Sequence, residues 1–158
     1  MRVPAIVVGV ALLVAACGGE KKAGTPADTT AAAPAAAPAA APATGASHEI
    51  QMVTTGPTSF KFVPDNITIK AGDAVVFKGV SSAGAGHDVA FYPDSIPPGA
   101  ADVLSKAIPD QAQPLATALI ADGSSVTVSF AGAPAGVYKF YCIPHMAMGM
   151  KGTITVTP

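Results

Sequence analysis

The chain has 158 residues, with 9 basic and 10 acidic groups, a formal net charge of −1, no Trp and two Cys. That length holds one compact domain plus flanking segments. The near-neutral charge argues against a nucleic-acid partner, which needs a clustered basic surplus, and two Cys are too few for a disulfide scaffold. With three His in the whole chain, a multicopper or multinuclear zinc enzyme is also disfavoured.

Residues 1–17 read MRVPAIVVGVALLVAAC. Arg2 precedes an apolar run from Ile6 to Ala16 that is too short to span a bilayer as a helix, which is the layout of a secretory signal. Val14-Ala15-Ala16-Cys17 resembles the bacterial lipobox, in which small residues precede a Cys that is lipid-modified after cleavage. The expectation is a lipoprotein signal peptide over 1–16 and an acylated Cys17 as the first mature residue. Each buried CH₂ of such chains adds about 0.8 kcal/mol to membrane binding.

Residues 23–47 hold almost nothing but Ala, Pro, Thr and Gly, with Pro34, Pro38 and Pro42 separated by Ala triplets. Ala alone favours helix, but Pro at every fourth position removes a donor and clashes with the preceding turn. Residues 17–47 are therefore expected to form a lipidated Cys and an extended tether, reaching at most about 90 Å as polyproline II and about 30 Å on average if coiled. The folded domain is placed at 48–158, with His48 at the junction expected to face solvent.

From Ile50 onward the apolar period is two. Short β-branched or aromatic runs occur at 67–69, 74–77, 89–91, 126–130, 137–141 and 153–156, separated by turn signals such as Gly56-Pro57, Pro64-Asp65-Asn66, Ala71-Gly72-Asp73 and Asp122-Gly123. The pattern predicts an all-β, antiparallel sandwich of about eight strands. Residues 100–108 (AADVLSKAI) break the period with helical spacing, so a short helix is expected in a sheet-to-sheet crossover framed by Pro97-Pro98-Gly99 and Pro109.

Cys142 is the only thiol besides Cys17, and an exported protein meets an oxidising compartment where an unpaired Cys is a hazard unless it is used. His145 follows three residues later and Met150 five after that. A thiolate, an imidazole and a thioether in one short loop suit a soft, redox-active metal, and copper in a Cys/His₂ set with a weak axial Met satisfies both of its oxidation states. The second imidazole must come from elsewhere. His87, expected to begin a strand after the glycine-rich turn Ala83-Gly84-Ala85-Gly86, is the obvious donor. Met146 and Met148 read as packing, with Met148 the rival for the axial position.

Several blocks resemble the plastocyanin-like blue-copper proteins of the cupredoxin family. They are Phe62-Val63-Pro64, Ala71-Gly72-Asp73, Gly86-His87-Asp88-Val89-Ala90-Phe91, Asp94-Ser95-Ile96-Pro97-Pro98-Gly99, Tyr138-Lys139-Phe140-Tyr141-Cys142-Ile143-Pro144-His145 and Gly149-Met150-Lys151-Gly152. The likeness runs from about Phe60 to Val156, in matching order. It implies a Greek-key cupredoxin sandwich and one type 1 copper cycling between Cu(I) and Cu(II). His87, Cys142 and His145 would be the strong ligands and Met150 the long axial one.

Four protein ligands leave no open coordination position, so an electron carrier is expected and an enzyme is not. The expected exit for the electron is an exposed edge of His145, ringed by Pro144, Met146, Ala147 and Gly149 as a dry contact patch for brief redox encounters. By resemblance, Tyr141 offers a second, lateral route. The predicted function is a monomeric shuttle, lipid-anchored at the bacterial envelope with its copper domain in the periplasm or outside. It would pass single electrons transiently between a donor and an acceptor of membrane redox complexes.

The competing reading is a copper carrier or sequestering protein using the same Met-rich loop. A metal-free adhesive sandwich would leave Cys142 without a use. A dinuclear copper-A centre would need a second thiolate in the loop. Two departures from the plant-type pattern stand out. Asp88 replaces the usual Asn after the first His, so the tie between the two ligand loops is expected to be weaker or charged. The acidic docking cluster is also missing: residues 92–95 and 109–112 carry single acids only.

Overall fold

The computed structural model describes residues 42–82, 84 and 86–158. The expected signal peptide, Cys17 and nearly all of the tether lie outside the described residues. In chain order the elements are β1 (Ser47–Gly56), β2 (Ser59–Val63), β3 (Asn66–Lys70), β4 (Ala74–Ser81), β5 (Ala90–Phe91), α1 (Ala100–Ala107), β6 (Ser125–Ser129), β7 (Gly136–Tyr141) and β8 (Lys151–Thr157). They form two four-stranded sheets, ordered β2-β1-β4-β6 and β3-β8-β7-β5.

Alternation decides which side of each strand is buried. Ile50 and Met52 of β1, Tyr138 and Phe140 of β7, and Ile154 and Val156 of β8 point inward, while Glu49, Val137 and Lys139 point out. With no Trp available, the centre is filled by Phe62, Phe77 and Phe140, whose rings meet edge to face at centroid distances of 4.8–6.4 Å.

The sandwich expected from the sequence is present, but its sheets are mixed rather than antiparallel. β1 pairs parallel with β4, and β3 parallel with β8. The reason lies in the connections. β2 runs through the corner at Pro64-Asp65 into β3 of the opposite sheet, and the tight turn at 71–73 returns the chain as β4 along the far side of β1. A strand pattern reveals spacing, not which neighbour a strand finds after crossing sheets. β1 and β2 were also absent from the runs named above, because polar residues such as Glu49, Gln51 and Lys61 dilute their apolar alternation.

The helix falls where its spacing predicts. Ala100, Leu104 and Ala107 form its buried stripe, and Gly99 precedes it at φ 81°, a left-handed conformation that glycine adopts without steric cost. α1 lies against β6 and covers one flank of the core.

The sandwich has two dissimilar poles. At one, Thr44 and Gly45 donate their N–H groups to the Gly72 carbonyl (3.1 and 3.0 Å), and Ala71 N–H reaches Thr157 O at 2.7 Å. The Asp73 carboxylate there accepts from Ala46 N–H (2.8 Å) and Lys70 N–H (2.9 Å) and pairs with His48 Nε2 at 2.9 Å. His48 is therefore half-buried and paired, not the solvent-facing residue expected from its place beside the tether, because Asp73 is brought to it by the 71–73 turn. The other pole carries the β1–β2 turn, the end of β4 and the loop between β7 and β8.

Candidate metal centre

At this second pole, one ligand atom each from His87, Cys142 and His145 lies within 4.8 Å of the others, and all three residues are buried. Cys142 follows directly on β7, so the sheet fixes its backbone. His87 is held between β4 and β5 by a two-way backbone pair with Ile120, N–H to O at 3.2 and 2.6 Å. It forms this isolated bridge instead of beginning a strand as expected, since β5 starts only at Ala90.

The chain turns after Cys142 so that His145 N–H donates to Cys142 O at 3.2 Å, and a 3-10 turn over Met146–Met148 follows. Gly149, at φ 83°, then reverses the chain in a conformation a side chain would strain. The reversal brings Met150 inward. Its N–H donates to His145 O (3.2 Å) and its carbonyl accepts Cys142 N–H (3.1 Å), so its backbone brackets both loop ligands.

Burial separates the three methionines of the loop. Met150 is fully buried, whereas Met146 and Met148 are 49% and 41% exposed. Only Met150 has the position that an axial ligand requires. The two exposed residues do not fill the core as their reading as packing implied.

The imidazoles are oriented by groups outside the donor set. His87 Nε2 lies 3.1 Å from Ser81 O, a pure acceptor, and 3.5 Å from the Thr54 hydroxyl. Nε2 therefore carries the proton and Nδ1 presents a lone pair. That Nδ1 lies 3.1 Å from His145 Nδ1 and 3.7 Å from Cys142 Sγ, and His145 Nδ1 lies 3.3 Å from the same sulfur. Burial, then the neighbouring His87, lowers the His145 pKa, which favours the neutral ring against an opposing pull from Asp88. Burial pushes the Cys142 thiol up to about 12. A cation held here by Cys142 and the two imidazoles would reverse that balance by favouring the thiolate.

Two nitrogen lone pairs, one ionisable sulfur and one thioether converge in a dry pocket. This donor set fits a metal that accepts both imidazole and soft sulfur, which is copper in either oxidation state. Bound there, copper supplies a reversible one-electron couple. The protein's part is to hold four donors in one arrangement and keep water out.

Asp88 makes the tie that the usual Asn would make. Its Oδ1 accepts Ile143 N–H at 2.6 Å, joining the His87 segment to the Cys142–Met150 loop. The tie is intact but made by a carboxyl whose pKa burial raises, an effect the Ile143 N–H partly offsets.

The expected exit through an exposed His145 edge is corrected by the structure. His145 is only 4% exposed, because the Phe60 ring of β2 stacks on it at a centroid distance of 3.8 Å and an interplanar angle of 9°. The sequence reading assigned Phe60 no role. Its one signal is its spacing from Phe62, which puts both on the inner face of β2, Phe62 in the core and Phe60 at the metal pole. Thr54 and Ser81 were missed as well, since nothing in a strand end marks a carbonyl as a ring partner.

Pro144 is exposed beside Met146. Tyr141 is half-buried at the side of the molecule and packs on Tyr92 at 4.3 Å. Tyr92 also lines a cleft with Asp65, Lys139 and Lys151.

Known proteins agree with this geometry. Residues 49–157 match the family model of copper binding proteins of the plastocyanin/azurin family. The chain is 41% identical over 96 residues to plastocyanin of Scenedesmus fuscus, covering 60% of this chain and 85% of that one. To plastocyanin of Vicia faba it is 39% identical over 95 residues, covering 60% and 86%. Its match to the chloroplastic major plastocyanin isoform of Arabidopsis thaliana spans about half, 54%, of that longer chain.

Among solved structures, the oxidized form of plastocyanin from Dryopteris crassirhizoma superposes with a TM-score of 0.54 at 35% identity, over 69% of this chain and 99% of that one. Pseudoazurin from Methylobacterium extorquens AM1 gives 0.50 at 27% identity, over 70% and 74%. The family-model match over 49–157 takes in every donor described above. The chain therefore belongs to the plastocyanin/azurin family of copper-binding proteins, the blue-copper electron carriers of the cupredoxin fold.

Proposed function

We propose that the protein is a lipid-anchored shuttle at the bacterial envelope, carrying single electrons between membrane redox complexes through one type 1 copper held by His87, Cys142, His145 and Met150. The observation that carries this reading is the convergence of His87, Cys142 and His145 ligand atoms within 4.8 Å in a buried pocket, with Met150 buried beside them. The donor set is complete without solvent, so the site exchanges electrons and offers no position for a substrate. Donor and acceptor meet the metal pole in brief contacts over Pro144 and Met146, with the Tyr141 flank as the lateral approach. Anchoring rests on Cys17 and its lipobox-like flank, and places the copper domain outside the cytoplasm.

The test is the full-length chain, purified in detergent and loaded with Cu(II). An intense thiolate-to-copper band in the visible, lost in Cys142→Ser and weakened or shifted in Met150→Leu with Met148→Leu unchanged, is the expected result. A colourless loaded protein would sink the proposal. Metabolic labelling with a palmitate analogue tests the anchor, which requires that Cys17→Ser lose the label.

A second reading, a copper carrier, is favoured by one observation: the exposed thioethers of Met146 and Met148 at the lip of the site. Thioethers favour Cu(I), and a carrier would surrender it readily to a chelator, whereas a shuttle retains it through repeated redox cycles.

A further inference from the structure

We propose that Met146 and Met148 form an outer receiving site for a soft monovalent cation, Cu(I), through which the metal enters and leaves the buried donor set. The inference rests on the copper reading above and adds to it the route by which the site is filled.

Burial makes such a route necessary. His87, Cys142 and Met150 are fully buried and His145 is nearly so, so an ion arriving from solvent meets none of the four donors. Its first protein ligand must be a soft group at the surface, close enough to pass the metal inward.

Met146 and Met148 meet both conditions. Among the described residues they are the only sulfur-bearing side chains that are exposed, whereas Met52 is buried in the core. Both stand on the 3-10 turn that begins directly after His145. That turn is closed on the donor loop, since Met148 N–H donates to His145 O at 3.1 Å and Gly149 N–H to Met146 O at 3.0 Å. Met146 is thus the chain neighbour of one donor, and Met148 stands two residues before another. Exposed side chains contribute little packing, and the property a thioether adds here is its affinity for Cu(I). Met148 also lines, with Phe60 and Gly149, a surface cleft of about 250 Å³, so the approach to the turn is concave.

Transfer is a ligand exchange with no change of oxidation state. The two neutral thioethers take Cu(I) from its delivering ligand. His87, Cys142, His145 and Met150 then take it over, the Cys142 proton going to solvent as the copper–sulfur bond forms and the outer thioethers being set free. Release runs through the same steps in reverse. A waypoint of this kind lowers the barrier in both directions alike and leaves the end states unchanged.

The test mixes the full-length apoprotein, in detergent and without oxygen, with the Cu(I)–bicinchoninate complex. The reverse reaction strips the loaded chain with excess bicinchoninate. Met146→Leu/Met148→Leu keeps the apolar volume and removes both sulfurs. Loading and release are both expected to slow about ten-fold. The equilibrium distribution of Cu(I) should stay within about two-fold of the parent, with the Cu(II) visible band unchanged. Either single variant should give intermediate rates.

A second readout addresses the outer site directly. Ag(I), added as the nitrate to the chain already loaded with Cu(I), should shift the ε-methyl resonances of Met146 and Met148 and leave that of Met52 in place. Parental rates in the double variant, a change in one direction only, or Met146 and Met148 methyls that ignore Ag(I) would each overturn the proposal. A parent chain that takes up no copper and develops no visible band would instead overturn the copper reading itself.

Discussion

Asp88 shows how one side chain links two ligand-bearing segments that are distant in sequence. Because its Oδ1 holds Ile143 N–H at 2.6 Å, Asp88→Ala leaves a half-buried donor without its charged acceptor. A loss of about 1–2 kcal/mol in denaturant unfolding is expected. Asp88→Asn retains an oxygen in the same place and should stay within about 1 kcal/mol of the parent; an equal loss in both variants would mean that the carboxylate charge, not the hydrogen bond, carries the tie. Tyr138 acts on the same scale. Its ring is fully buried and its hydroxyl donates to Pro134 O at 2.6 Å, so Tyr138→Phe should cost about 0.5–1.5 kcal/mol, read as a lower urea midpoint with unchanged slope.

At the level of elements, α1 is held by one side chain above all. Leu104 is fully buried between Ala100 and Ala107, and Leu104→Ala should destabilise the domain by about 2–5 kcal/mol while leaving the visible spectrum of the copper-loaded chain unchanged. The turn between β3 and β4 gives a pH dependence. Lys70 N–H first, then His48, hold the Asp73 carboxyl below its ordinary value, with Ala46 N–H adding to them against a smaller opposing effect of burial. The folded state binds this proton less readily than the unfolded chain, whose carboxyl titrates near about 3.9. The stabilisation is therefore present above that value and is lost as pH falls through the lower folded value. Urea midpoints of the parent should decline in acid below about pH 4. Asp73→Asn should start lower at neutral pH and show a flatter acid limb.

For the whole molecule, the two poles divide the labour. The segment leading from the tether is fastened at Thr44, Ala46 and His48 beside the 71–73 turn, whereas the donor set lies at the other end of the strands. The described chain therefore enters the domain at the pole opposite the donor set. Under the anchoring proposed above, contact of this pole with a partner in the same membrane depends on the length of the segment between anchor and domain. Deleting residues 31–41 from the lipidated chain should slow electron transfer to a partner in the same vesicle and leave the reaction with a small soluble oxidant unchanged, both read by stopped-flow absorbance. The folded part carries eight acids and six lysines over 48–158, about −2, with no acidic cluster at the sides of the site. Long-range steering is correspondingly small, and association rates with the physiological partner should vary only weakly with salt.

Much of this was legible in the linear order of residues. Alternation and turn residues announce a sandwich with one short helix, because side-chain period and turn chemistry are local properties of the chain. The Cys142–His145–Met150 spacing announces a soft-metal loop, because three donors within nine residues need no distant partner to be recognised. What depends on contacts across sheets was not legible. The parallel pairing of β1 with β4, the His48–Asp73 latch, the Ser81 carbonyl that sets the His87 tautomer and the Phe60 ring that buries His145 each join residues many positions apart. They arise only when the corner at Pro64-Asp65 and the turn at 71–73 lay the strands side by side. Chemistry confined to one loop can be read from its order, whereas the surroundings that orient and cover that chemistry come from packing, which no local pattern encodes.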